Sequence, residues 1–125
     1  MKFIETKNAP KAIGPYSQAV KVGRFLFLSG QIPINPENNE IVSGNFVEEV
    51  KQVLKNIEEI LKAEGCRRCD VIKTTVFLKD LSLFQEFNEV YGEFFGDHKP
   101  ARSTIEVSRL PKDVRVEIEA IAQIP

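Results

Sequence analysis

Two residues in this chain have side chains and settings suited to chemistry on a small anion. Arg102 lies in Lys99-Pro100-Ala101-Arg102-Ser103-Thr104, at the head of a strand-like run. Its guanidinium is a planar fork that matches a carboxylate bidentately. Pro100 stiffens the approach, and Ser103 and Thr104 add hydroxyls beside the fork. Glu117 sits in the middle of a second strand, two residues from both Arg115 and Glu119. A neighbouring acid raises a carboxylate's pKa toward the range of a general base, and a neighbouring arginine opposes that. A fixed cation facing such a base suits gripping a small anion and adding water to it. Each residue also has a plainer reading: Arg102 as a surface ion-pair partner, Glu117 as part of the solvated face of an edge strand.

Tyr16, Ser29 and Gly30 come next. Ile13-Gly14-Pro15-Tyr16-Ser17 is a turn that presents an aromatic ring. Ser29-Gly30-Gln31 ends a strand where Gly30, lacking a side chain, lets the backbone approach a ligand closely. Other chemistries find less support. Cys66-Arg67-Arg68-Cys69 has no second ligand pair for zinc, and His98 is the only histidine. The pair follows a helix end, whereas a redox pair opens one, so it reads as a helix-to-strand loop with two thiols. One histidine allows no paired-histidine ribonuclease mechanism, and no serine sits in a nucleophile elbow. No phosphate loop or dinucleotide fingerprint appears.

The elements that must position these residues show in the hydrophobic spacing. Phe46 to Glu64 puts Phe46, Val47, Val50, Val53, Leu54, Ile57, Ile60 and Leu61 on one helical stripe, with Asn45 as N-cap and Gly65 as stop. Leu81 to Phe95 repeats the pattern through Phe84, Phe87, Val90, Tyr91 and Phe94, with Ser82 and Gln85 placed for a capping box. Strands are expected at Phe3–Glu5, Ser17–Val22, Arg24–Ser29, Val71–Leu78, Ser103–Arg109 and Val114–Ile124. The last alternates Val114, Val116, Ile118, Ala120, Ala122 and Ile124 against Arg115, Glu117, Glu119, Ile121 and Gln123. Val22-Gly23-Arg24 reads as a tight hairpin, and Leu110-Pro111-Lys112-Asp113 as the turn joining the last two strands. Two helices cover only one face of such a sheet. Yet Phe25-Leu26-Phe27-Leu28 is apolar on both sides, and Phe77 and Ile121 lie opposite their strands' main apolar faces. Covering that second face with further copies of the chain makes it a homo-oligomer.

The 125 residues suit one domain, residues 1–125, with 42% hydrophobic and 28% charged residues. Net charge is −1, from 17 basic and 18 acidic residues, with no charge block to recruit nucleic acid or an anionic membrane. The opening residues hold no apolar run of signal-peptide length, and the strongest apolar stretch is far too short to span a bilayer. A cytoplasmic protein is the expectation.

Five ordered segments then resemble one family: Ala12-Ile13-Gly14-Pro15-Tyr16-Ser17-Gln18-Ala19, Leu28-Ser29-Gly30-Gln31-Ile32-Pro33, Val71-Ile72-Lys73-Thr74-Thr75-Val76, Pro100-Ala101-Arg102-Ser103 and Val116-Glu117-Ile118-Glu119-Ala120. From Phe3 to Ile124 the chain resembles the RidA (YjgF/YER057c/UK114) family of reactive enamine/imine deaminases. The resemblance implies a chorismate-mutase-like α+β fold, a six-stranded mixed sheet with two helices on one face. It implies a trimeric barrel with sites between subunits. It also implies hydrolysis of 2-iminobutanoate and 2-iminopropanoate, made by pyridoxal-phosphate dehydratases, to 2-oxo acids and ammonia, with neither metal nor cofactor. By position, Arg102 would grip the carboxylate, Glu117 would orient and deprotonate water, and Tyr16 would wall the pocket or help protonate the enamine carbon. Ser29 and Gly30 would line the pocket through backbone groups. Asn88 matches another pocket position, and Ser103 and Thr104 would donate near the substrate. Some relatives carry cysteine where this chain has Thr104, so a scheme needing a thiol there does not transfer. Two other classes remain open at this level: an RNA-cleaving translation inhibitor, and a non-catalytic binder of small carboxylates or chaperone-like protein.

Overall fold

Alternating apolar residues build a six-stranded sheet, and two amphipathic segments build the helices that cover it. The computed structural model describes residues 1–125. In chain order the elements are β1 (Lys2–Ile4), β2 (Ala19–Val22), β3 (Phe25–Gln31), β4 (Ile34–Asn35), β5 (Glu40–Ile41), α1 (Phe46–Ala63), β6 (Val71–Leu78), α2 (Phe84–Phe95), β7 (Ala101–Glu106) and β8 (Val116–Gln123). The sheet runs β1-β2-β3-β8-β6-β7, while β4 and β5 pair as a separate two-stranded hairpin. All sheet neighbours are antiparallel except β6 and β7, so the sheet is mixed. This is the expected α+β arrangement.

Local signals explain the helix ends. Asn45 is extended, and its Oδ1 accepts from the Glu48 N–H at 3.1 Å, satisfying one free donor of α1. At the other end Gly65 takes φ +71°, which lets its own N–H and that of Cys66 fold back onto the carbonyls of Lys62 and Leu61. The apolar stripe of α1 is buried except for Val47, which is half-buried at its margin, and with Leu26, Val76, Ile118 and Phe87 it forms one core between helices and sheet. Helix α2 contributes Phe87, Tyr91 and Phe95.

The structure corrects the expected connections in three places. The capping box of Ser82 and Gln85 does not form. Instead Asp80 accepts from the Ser82 N–H at 2.8 Å and caps a short 3-10 turn, Leu81–Leu83, ahead of α2. Asp80 wins because, two residues ahead of Ser82, it reaches that free donor directly. The segment Leu110–Asp113 does not join neighbouring strands. It lies in a crossover that carries the chain from the edge strand β7 to the slot between β3 and β6. The β4–β5 hairpin was not anticipated, because two-residue strands give no periodicity to read. Strand ends also shift by up to a few residues, while β6 falls where expected.

The far side of the sheet is open. Phe25 and Phe27 remain 42% and 45% exposed there, with Phe77 and Ile121 half-buried beside them.

Candidate active site

Strand pairing decides where each candidate side chain points. Arg102 pairs with Thr74 and shares its face, the one packed on the helices. Glu117 pairs with Phe77, three residues further along β6 and therefore on the opposite, open face. Arg102 and Glu117 thus stand on opposite sides of the sheet, two strands apart. The predicted residues divide between two half-sites rather than forming one cluster within the chain.

The first half-site is built by α2 and β7. The Arg102 guanidinium lies over three rings: 4.8 Å from the centre of Tyr91, 5.6 Å from Phe84 and 5.8 Å from Phe87. Stacking on π faces holds a guanidinium while leaving its in-plane N–H fork free. The surface ion-pair reading fails, since Arg102 forms none of the ion pairs in the chain. Tyr91 is itself fixed by a 2.7 Å hydrogen bond between its hydroxyl and that of Thr74. Burial pushes the Tyr91 phenol up from its ordinary pKa, against the Thr74 hydrogen bond and the Arg102 charge. Asn88 shares this stripe of α2, one turn after Phe84. Asn88 Oδ1 and Thr104 Oγ1 are both buried without a hydrogen-bond partner. Such orphans are uncommon in a folded chain, and a bound ligand would relieve them. Ser103 points to the other face of β7, so its side chain is not brought to Arg102. The aromatic cradle was missed as a site in the sequence. Its signal in the sequence is the spacing of Phe84, Phe87 and Tyr91 on one helical stripe, a pattern that core packing alone also produces.

The second half-site is built by β3 and β8. Their register slips between Leu28 and Gln31, leaving a bulge at Ser29 and Gly30. The Glu117 carboxyl fills the space over Gly30. A Cβ there would stand 2.1 Å from Glu117 Oε2 and 2.8 Å from its Cδ, so only glycine permits this placement. Burial raises the Glu117 pKa, and the negative charge of Glu119 adds to the rise. Arg115 does not offset it, being tied instead to the buried Glu49. Ser29 Oγ donates to the Ser17 carbonyl at 2.6 Å, which leaves the Ser29 backbone, not its hydroxyl, for a ligand. Tyr16 and Gly30 line one cavity of about 190 Å³ together with Lys11, Gln31 and Lys112. A larger cavity of about 430 Å³ lies between α1 and α2, on neither half-site, and its Arg68 is already paired with Glu58. Cys66 is buried and Cys69 exposed, and no group of three or more His, Cys, Asp or Glu side chains is gathered as a metal would require.

This geometry can be set beside known proteins. The family model described as Endoribonuclease L-PSP matches residues 6–124. The chain belongs to this family. It is the YjgF/RidA family that the five segments resemble. A RutC family protein of Pyrococcus horikoshii is 61% identical over 97% of this chain and 96% of its own length. The human 2-iminobutanoate/2-iminopropanoate deaminase is 51% identical over 97% of this chain and 88% of its own. Among solved structures, Escherichia coli TdcF with bound serine superposes with a TM-score of 0.95 at 47% identity, each chain being covered over 100% of its length. Members of the RidA family at this distance thus include proteins named as imine deaminases.

Proposed function

We propose that this chain, as one domain of residues 1–125, hydrolyses small 2-imino acids such as 2-iminobutanoate and 2-iminopropanoate to 2-oxo acids and ammonia. The reading rests above all on the Glu117 carboxyl, half-buried against Gly30 with its pKa raised. A base poised in that way can take a proton from water at mild pH. The deaminase relatives and the serine held by TdcF support the same substrate class.

In the proposed scheme Arg102 holds the substrate carboxylate in its free fork, next to Asn88 and Thr104. Tyr16 closes the pocket and, for an enamine, helps deliver a proton to carbon. Glu117 accepts a proton as water oxygen bonds to C2. The C=N electron pair moves to nitrogen, which takes up a proton. The resulting carbinolamine passes its hydroxyl proton to the amine nitrogen, reforms C=O and expels ammonia. Atoms balance with water alone, and general-base assistance of about 10²–10⁴-fold is enough for a reaction that also runs unaided. Ser29 and Gly30 contribute backbone, and Ser103 can contribute only its main chain to the Arg102 side.

Because the half-sites face away from each other, the site is completed between copies of the chain, with the open apolar face as the contact. A homotrimer would place Arg102 of one copy opposite Glu117, Gly30 and Tyr16 of the next. The RNA-cleaving alternative has less to work with. The lone His98 is bonded through Nε2 to the Val71 carbonyl at 2.6 Å, and Phe95 lies beside its ring.

The test is a coupled assay. Threonine dehydratase supplies 2-iminobutanoate, semicarbazide traps what escapes, and 2-oxobutanoate is followed with and without this protein. Less trapped imine and faster 2-oxobutanoate are expected. Unchanged trapping at micromolar protein would sink the reading.

A further inference from the structure

We propose that Gln18 is a positioning residue, whose buried amide holds the loop of residues 7–16, and with it Tyr16, in register at the cavity it shares with Gly30. The kinetic arm of this inference rests on the deaminase reading; its structural arm does not.

The β1–β2 ladder ends at the pair Ile4 and Ala19. Beyond it the Gln18 side chain continues the ladder in place of backbone. Its Oε1 accepts from the Thr6 N–H at 2.7 Å, and its Nε2 donates to the Thr6 carbonyl at 3.0 Å. The same Nε2 reaches the carbonyls of Pro10 at 2.8 Å and Ala9 at 3.3 Å. Gln18 is 3% exposed, so these bonds form away from competing water. One amide carries two N–H donors and serves three carbonyls, a use no other neutral side chain of that length can match.

Within residues 7–16 the loop has little else to fix it. Residues 7–16 form no strand or helix, and apart from a local bond from Asn8 N–H to Thr6 Oγ1 at 3.2 Å, the hydrogen bonds between this segment and the rest of the chain are those donated by Gln18 Nε2. The loop's tip is folded on itself. Tyr16 N–H donates to the Gly14 carbonyl at 2.9 Å, and the Tyr16 hydroxyl accepts from Ile13 N–H at 3.4 Å. The tip therefore moves as a unit, and its place is set where it is tethered. Gln18 supplies one tether, and the hydrogen bond from Ser29 Oγ to the Ser17 carbonyl supplies the other. Pro10 and Tyr16 from the loop and Gly30 from the sheet line the same cavity, so a shift of the loop is a shift of that cavity's wall.

Gln18→Glu tests this. It keeps the shape and the acceptor for Thr6 but removes both donors and sets a carboxylate against three carbonyls. Displacing a pocket wall by an ångström costs up to about 100-fold in rate. The expected result is a fall in kcat of about 10–100-fold in the wild-type background and less than about threefold in Tyr16→Ala, because the two changes act through one group. Equal losses in both backgrounds, as general unfolding would give, would overturn the proposal. The chain has two tyrosines, so protein labelled with 3-fluorotyrosine gives two fluorine resonances. Gln18→Glu should shift or broaden that of the exposed Tyr16 and leave that of the buried Tyr91 in place. An unmoved Tyr16 resonance overturns the clamp whatever the kinetics show. If the wild type has no imine hydrolase activity, the deaminase reading falls and the fluorine spectrum alone decides. Should Gln18→Glu not fold, Gln18→Met, of like length and uncharged, takes its place in both arms.

Discussion

The guanidinium of Arg102 and the carboxyl of Glu117 are placed by opposite means. Arg102 is held by added matter: three rings on one helix stack against it, and a hydroxyl pair at Thr74 and Tyr91 steadies the nearest. Glu117 is held where matter is left out, in the gap over Gly30 at a bulge. The π faces orient the cation and leave its in-plane N–H fork open. The anion's protonation is what its setting changes, because burial and Glu119 both favour the neutral form. On the proposed reading, one half-site serves grip and the other reactivity.

Four changes, with Glu119→Gln as a companion to the first, would break or sharpen that contrast. The largest effect is expected from Glu117→Gln, a loss of about 10²–10⁴-fold in kcat measured by imine trapping. The same change should raise the melting temperature at neutral pH. The folded pKa lies above the unfolded one, so the ionised carboxylate costs stability once pH rises through the unfolded value, and an uncharged amide removes that cost. For the same reason the acid limb of the kcat/KM profile should lie above that of an ordinary glutamate. Glu119→Gln should move that limb to lower pH. A limb unmoved by Glu119→Gln would mean that another group titrates.

Arg102→Ala is expected to cost on the order of 10²–10³-fold in kcat/KM, through lost carboxylate binding. Mixing Arg102→Ala with Glu117→Gln subunits then tests whether the halves meet between copies. Random reassembly restores about one quarter of the sites if they do and none if they do not. Gly30→Ala comes third. Its methyl group drives the Glu117 carboxyl aside, so about 10-fold or more of rate is lost by misplacement. The flexible end of the glutamate can move away, so thermal unfolding should change little. Tyr91→Phe should matter least. It keeps the ring under Arg102 and removes only the bond to Thr74, costing about 1 kcal/mol of stability by denaturant titration and under about threefold in rate.

The same contrast separates what could be read in the sequence from what could not. Both helices, β6, and the alternation that turns Glu117 away from Val116 and Ile118 follow from spacing, because each is a local property of one segment. The caps at Asn45 and Gly65 were legible for the same reason. The insertion of β8 between β3 and β6 was not, since it depends on pairings between segments far apart in the chain. That missed step hid the division into half-sites, for only the register shows Arg102 and Glu117 on opposite faces. Gln18 gave no sign of its role, because its partners are backbone carbonyls, and these carry no residue signature.

The position of β8 also bears on synthesis. The strand at the centre of the sheet is made after the seven others. Until it emerges from the ribosome, β3 and β6 present raw edges that invite pairing with other nascent chains. The residue proposed as the base arrives on that same strand. A chain stalled before Val116 would therefore be sticky and would lack the proposed base, so quality control that recognises an unclosed sheet would also remove every copy without that residue.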